Sequence, residues 1–206
     1  PERPDAYLSA SAVGFYGNCL DCSMREEDRA GDDFISDVCT LWEHSARPAE
    51  EAGIRTVFMR IGVVLSPRGG ALHRLLATSP IGFFNRFGSG EQYISWIGIN
   101  DMVGAILHAL TCASLAGPVN IAAPRPATNS QLMRTLARVL HRPLLPPIPA
   151  GFLKVLYGQM ASEVLLGGCR VATDKLQQSG YTFRHADLEQ TVRHLLGKFE
   201  TNGPEC

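Results

Sequence analysis

Lysine is nearly missing from this 206-residue sequence. Only Lys154, Lys175 and Lys198 occur, so any mechanism that needs a lysine amine within residues 1–153 is excluded. Neither sign of charge is in surplus, because 19 basic and 20 acidic residues leave a net charge of −1. A nucleic-acid binder needs a basic excess to displace counterions from phosphate, and that class is set aside. No apolar run reaches the roughly 18–20 residues that span a bilayer. The opening PERPDAYLSASAVG lacks the basic-then-apolar order of a signal peptide. A cytoplasmic protein with no membrane partner is expected. Three motifs are also missing. No G-x-x-G-x-x-G follows a strand, no tyrosine has a lysine four residues on, and no G-x-S-x-G marks a hydrolase elbow.

What is present suits a folded chain. Hydrophobic residues make up 45% and charged residues 19%, enough to bury a core. Six cysteines are scattered, with one C-x-x-C at Cys19 and Cys22 and no second pair at zinc-ribbon spacing. A redox pair belongs at a helix start after a strand, whereas residues 18–28 read as a polar loop. Reduced, structurally incidental thiols are expected.

Strand and helix patterns alternate along the chain. Residues 5–10 read as a short strand, and residues 33–52 carry Phe34, Val38, Leu41, Trp42 and Ala46 at helical spacing. Asp32 or Asp33 is placed to cap that helix and Gly53 to stop it. The β-branched run RTVFMRIGVVL, residues 55–65, predicts one buried strand. Helices are expected at 72–77, at 100–112 with Asn100 or Asp101 as cap, and at 129–140 after Thr128. A short strand is expected at 119–122 and an extended proline-rich stretch at 143–149. Residues 152–166, 173–179 and 187–199 read as helices. Such alternation predicts a mostly parallel sheet covered on both faces, with ligands at the carboxyl ends of its strands.

Two segments offer chemistry. SASAVGFYG, residues 9–17, puts small residues and the hydroxyls of Ser9 and Ser11 at the end of the first strand. It suits close approach of a flat ligand, or equally a turn whose serines satisfy backbone groups. FGSGEQYISWIGIND, residues 87–101, offers Gln92, Tyr93 and Trp96 as a ligand wall, or equally an aromatic-anchored loop feeding a capped helix.

These segments, with RIGVVLSPRGGAL at 60–72 between them, resemble the extended short-chain dehydrogenase/reductases. Within that superfamily the match is to the atypical NAD(P)-dependent epimerase/dehydratase-like subgroup, also called cell-division-inhibitor-like. DDFISDVCTLWEHSA looks like its next helix, and GSGEQYISWIGIND like its G-S-G-x-Q-x-x-x-W-I-H-I-D-D motif. RPLLPPIPAGFLKVLYG through DLEQTV resembles its terminal domain. The likeness begins at the subgroup's fifth strand, which implies that about its first third is not in this sequence. An α/β fold is therefore expected: the C-terminal part of a Rossmann-like parallel sheet with a small, mostly helical substrate domain. Residues 1–66 and 98–122 are expected on the cofactor side, and 67–97 and 123–206 on the substrate side.

The resemblance implies NADP or NAD as cofactor and a small-molecule substrate. It places Ser9, Ala10, Arg60, Gly62 and Val64 near the nicotinamide, and Ser11 at the active-site serine. It draws the substrate face from Arg86, Gln92, Tyr93 and Trp96. Tyr16 is the nearest tyrosine that could substitute for the missing acid/base, although packing explains an aromatic there equally well. For Arg86, an exposed loop arginine is the stronger alternative. The superfamily's Tyr-x-x-x-Lys falls near Ile35 and Cys39, which cannot carry proton transfer. Gly98 and Asn100 replace the motif's histidine and first aspartate, while Trp96 and Asp101 are kept. Two readings follow: an oxidoreductase or epimerase weak in cofactor binding as this chain stands, or a non-catalytic regulatory protein that keeps the fold. Self-association through an uncovered sheet edge is expected with either.

Overall fold

The computed structural model describes residues 3–77, 82–159 and 161–198. In chain order, β1 (Ala6–Ala12) runs into a 3-10 turn over Val13–Tyr16, then β2 (Cys19–Met24) and α1 (Phe34–Glu51). β3 (Arg55–Ile61), β4 (Val63–Leu65) and α2 (Gly70–Ala77) follow. β5 (Phe84–Phe87), β6 (Tyr93–Ile94) and β7 (Trp96–Gly98) lead to α3 (Ile99–Thr111). Next come β8 (Gly117–Ile121), β9 (Ala127–Thr128), α4 (Asn129–Val139) and β10 (Leu144–Ile148). α5 (Ala150–Tyr157), β11 (Cys169–Val171), α6 (Asp174–Gln178) and α7 (Leu188–Leu195) complete the described chain. Phe199, the expected end of the last helix, and Cys206 lie outside the described residues.

The central sheet is parallel, in the order β1-β3-β8, with Ser11 beside Arg60 and Met59 beside Val119. Thr56 to Arg60 are all buried, which is why β3 lacks the alternation of a half-exposed strand. On one face Val57, Met59, Val119 and Ile121 pack with Met102, Ala105 and Ala109 of α3 and Leu176 of α6. α1 covers the other face. A second core gathers Leu65, Leu72, Phe84, Trp96, Leu132, Leu136 and Val192. There Thr128 and Gln131 form a reciprocal capping box that starts α4. No helix among the described residues is long and apolar enough to cross a membrane.

Several expectations change. The run expected as one strand over 55–65 breaks at Gly62, and β4 leaves the sheet to pair with β7. Val63 N donates to the Ser95 carbonyl at 2.7 Å, and a β-carbon at Gly62 would run into that same oxygen. The expected polar loop over 18–28 contains β2, paired with β11, and Cys19 and Cys22 are joined by a disulfide rather than left as thiols. Their Cα atoms are 5.6 Å apart, within the span a disulfide bridges. The long helix expected over 152–166 is interrupted: α5 stops at Tyr157, where Gly158 takes φ 57°, and a π-helical turn follows over Ala161–Leu165. Neither Asn100 nor Asp101 caps α3. The Asp101 carboxylate instead accepts from Tyr181 Oη and from the backbone N–H groups of Arg184 and His185.

The apolar spacing in α1 also has another meaning. Asp33 caps this helix through its bond from Ser36 N, but Phe34, Leu41 and Trp42 are 59%, 67% and 49% exposed. α1 buries Ser36, Cys39 and Ala46 instead. On the opposite face of the sheet α3 exposes Val103, Leu107 and Leu110. Between these stripes the outer edge of β1 has no strand partner among the described residues.

Because backbone fills the space beside Gly62, Gly62→Ala is expected to destabilise the fold by about 1–3 kcal/mol, read as a lowered urea midpoint at unchanged m-value.

Candidate active site

A cavity of about 290 Å³ opens at the carboxyl ends of β1 and β3. Ala12, Val13 and Gly14 line it from the β1 turn, Ile35 from α1, and Ile61, Gly62 and Val63 from the β3–β4 break. Tyr93 and Ser95 form another wall, and Gly167 to Cys169 close it. The walls are mostly apolar, and the charged residues among the described lining are Asp33 and Glu163. Asn18 holds the far wall by accepting from Gly168 N at 2.7 Å.

Beneath the floor lies a buried polar network. Arg60, whose side chain is 4% exposed, grips Glu43 with both ends of its fork, Nε to Oε1 at 2.8 Å and Nη2 to Oε2 at 2.9 Å. Its Nη1 donates to Tyr16 Oη at 3.0 Å and to the Glu26 carbonyl at 3.1 Å. Tyr16 Oη donates onward to Asn120 Oδ1 at 2.7 Å, and Ser11 Oγ donates to Glu43 Oε1 at 2.9 Å. The guanidinium lies 3.5 Å over the Phe15 ring. Burial disfavours the Arg60 charge, but the Glu43 bonds and Tyr16 outweigh it and raise its pKa further. Burial pushes the Tyr16 phenol up to about 12, against the lowering pull of Arg60 and Asn120. A phenol so placed keeps its proton at neutral pH.

The residues expected at the site separate into groups. Gly62 and Tyr93 line the cavity. Ser11, Tyr16 and Arg60 sit in the network below, and none of the three lines the cavity. Ser9 and Ala10 lie farther back on β1, and Val64 packs against the α3-side core. Gln92 is buried and ties its amide to the carbonyls of Phe87 and Leu165. Trp96 is 1% exposed and donates to the Arg125 carbonyl, as a core residue does. Arg86 is half-buried on β5, and its Nε has no hydrogen-bond partner among the described residues. Ile35 stands in the cavity, and Cys39 behind it is 1% exposed. Asp33, Asn18 and Glu163 were not anticipated as lining. Asp33 carried only the signal of a helix cap, and the other two become neighbours only through the pairing of β2 with β11.

A parallel α/β sheet with a cleft at adjacent strand ends defines a Rossmann-type protein. Residues 148–195 match a domain of unknown function, DUF1731. An epimerase family protein of Mycobacterium bovis is 40% identical over 190 residues, 92% of this chain and 62% of that protein. Epimerase family protein YfhF of Bacillus subtilis is 36% identical over 201 residues, 97% and 66% of the two chains. A crystal structure of human epimerase family protein SDR39U1 (isoform 2) with NADPH superposes with TM-score 0.89 at 31% identity, over 97% of this chain and 68% of that one. The chain belongs to this epimerase family, an atypical branch of the short-chain dehydrogenase/reductases. It spans about two thirds of the length of the curated relatives it matches. A Thermus thermophilus UDP-glucose 4-epimerase, 19% identical with TM-score 0.68, shares the fold.

Removing Glu43 leaves a buried guanidinium without its counter-charge. Glu43→Ala is therefore expected to cost about 3–5 kcal/mol in urea denaturation, with Ser11 and Arg60 losing their shared partner.

Titration gives a second expectation. Burial pushes the Cys169 thiol from 9.0 up to about 12, and Tyr16 rises from 10.0 to about 12. Both hold their protons more tightly when folded, so their stabilisation is complete below pH 9 and drains away as pH climbs toward 12. Tyr16→Phe should flatten part of that alkaline slope. Cys112, whose thiol the Ser114 hydroxyl holds below its usual range, should take iodoacetamide before Cys39 and Cys169 in peptide mapping of the native protein.

Proposed function

We propose that this chain forms the substrate side and part of the cofactor side of a cytoplasmic NADP-dependent oxidoreductase or epimerase acting on a small molecule. The observation that carries the reading is the cavity at the ends of β1 and β3, in a chain 31% identical to a relative crystallised with NADPH. Ala12, Gly14 and Gly62 line the cavity and put no bulky side chain of their own into it. The described lining offers no arginine or lysine to a pyrophosphate, and no glycine-rich phosphate loop follows a strand in this sequence. The residues present thus suit the nicotinamide end of the cofactor and not its phosphates. When bound, the dinucleotide would supply hydride chemistry.

The chain's own residues do the rest. Gly62 and Tyr93 face the ligands, while Ser11, held by Glu43, and Tyr16, held by Arg60 and Asn120, fix β1 and its turn from below. Residues 1–66 and 98–122 serve the cofactor, and the remainder shapes the substrate end. A non-catalytic binding role is favoured by one observation, the apolar Ile35 standing in the cavity at the superfamily's tyrosine position.

Fluorescence titration of the 206-residue chain with NADPH is expected to show no saturable micromolar binding, and a micromolar Kd would overturn the division proposed. A chimera with the part of the Mycobacterium bovis relative that this chain does not match should bind NADPH. NADPH oxidation with a panel of ketones then marks the enzyme, and binding without turnover marks the regulatory reading.

A further inference from the structure

The disulfide of β2 sits where that strand falls out of step with its partner. Cys19 pairs with Cys169 of β11, but the next pair is Ser23 with Arg170, so residues 20–22 have no counterpart on β11. Cys19 and Cys22 close this bulge, joining two points of one strand and no two elements of the fold. So short a ring removes little chain entropy from the unfolded state, far less than a disulfide over a long loop. The pairs Ser23–Arg170 and Met24–Val171 lie beyond the bulge and do not need it.

The two cysteines stand in different surroundings. Cys22 is exposed, whereas Cys19 is half-buried and packs in the cluster of Cys169, whose thiol donates to the Val13 carbonyl at 3.6 Å. Burial keeps the Cys169 thiol protonated, so it is a poor nucleophile toward the neighbouring bond. The start of the bulge also holds a wall of the cavity. Asn18 Oδ1 accepts from Gly168 N at 2.7 Å, Cys19 N donates to the Gly168 carbonyl at 3.2 Å, and Gly168 lines the cavity.

We propose that Cys19–Cys22 is a thiol-exchange site, opened at Cys22 by a small thiol of the glutathione class, and that opening it loosens the Gly168 wall of the cavity. The small thiolate attacks Cys22 Sγ: a mixed disulfide forms there, the bond to Cys19 breaks, and Cys19 leaves as a thiolate that takes a proton from water. A second small thiolate attacks the mixed disulfide on its own kind of sulfur, releasing Cys22 as a thiol. Two small thiols are thereby oxidised to one disulfide, and the protein disulfide is reduced to two thiols. The same steps in reverse close the bulge again.

Two measurements test this on the folded 206-residue chain. Cys19→Ser and Cys22→Ser, each left with one thiol of the pair, are incubated with oxidised glutathione, and peptide mapping locates the adduct. Cys22 is expected to take glutathione roughly tenfold faster than Cys19, because it is the exposed member. Hydrogen exchange of the Gly168 amide is then followed in glutathione buffers. Reduction is expected to speed it roughly tenfold while the urea midpoint barely moves, as a local opening does. Cys22→Ser should show the fast rate whatever the buffer. The proposal is overturned if glutathione buffers leave the pair unchanged in the native chain, or if Cys19 takes the adduct as fast as Cys22. A Cys19–Cys169 bond formed instead, or one Gly168 rate in both redox states, overturns it too. A urea midpoint that collapses on reduction marks a structural staple and has the same effect. None of these readouts involves NADPH, so the cofactor reading stands or falls separately.

Discussion

A guanidinium and a carboxylate taken out of water together tolerate no loss of either partner, and the Arg60–Glu43 pair puts that constraint at the centre of this molecule. Arg60 comes from the central strand and Glu43 from the helix across it, so the pair fixes the helix to the sheet at one register. Through Ser11, Tyr16 and Asn120 the same atoms reach β1, its turn and β8. Beneath the floor of the cavity one connected run of hydrogen bonds passes from Ser11 through Glu43, Arg60 and Tyr16 to Asn120.

That constraint explains why α1 can be so exposed on its other side. Ser36, Cys39 and Ala46 are small and let the helix lie close to the sheet, and the ion pair supplies the hold that large apolar residues usually give. Phe34, Leu41 and Trp42 are thereby released from core duty. With Val103, Leu107 and Leu110 on the other face, they leave apolar surface on both sides of a sheet whose β1 edge has no strand partner among the described residues.

Legibility in the sequence followed the range of each interaction. Local signals read well: Asp33 as a cap, Gly53 as a stop, Thr128 before α4 and the dense β-branched run of β3 all work over a few residues. Where tertiary pairing decides, the sequence is silent. Gly62 breaks a strand because the Ser95 carbonyl approaches from another segment, and Cys19 joins a sheet only through Cys169, far along the chain. The site divides the same way. Gly62 and Tyr93 were legible as cavity residues, whereas Trp96 and Gln92 have ligand-like chemistry and spend it on the core and on backbone carbonyls. Asp33 was hidden as a lining residue because its one sequence signal is that of a helix cap.

The two indoles of this protein sit in opposite media. Trp42 stands on the exposed stripe of α1, while Trp96 is sealed beside the cavity wall with its N–H committed to a carbonyl. Intrinsic emission is therefore a sum of a water-facing and a dry chromophore. Iodide quenching would strip away the first and leave a blue-shifted reporter of the interior, which makes the natural sequence its own optical probe of which layer a change has reached.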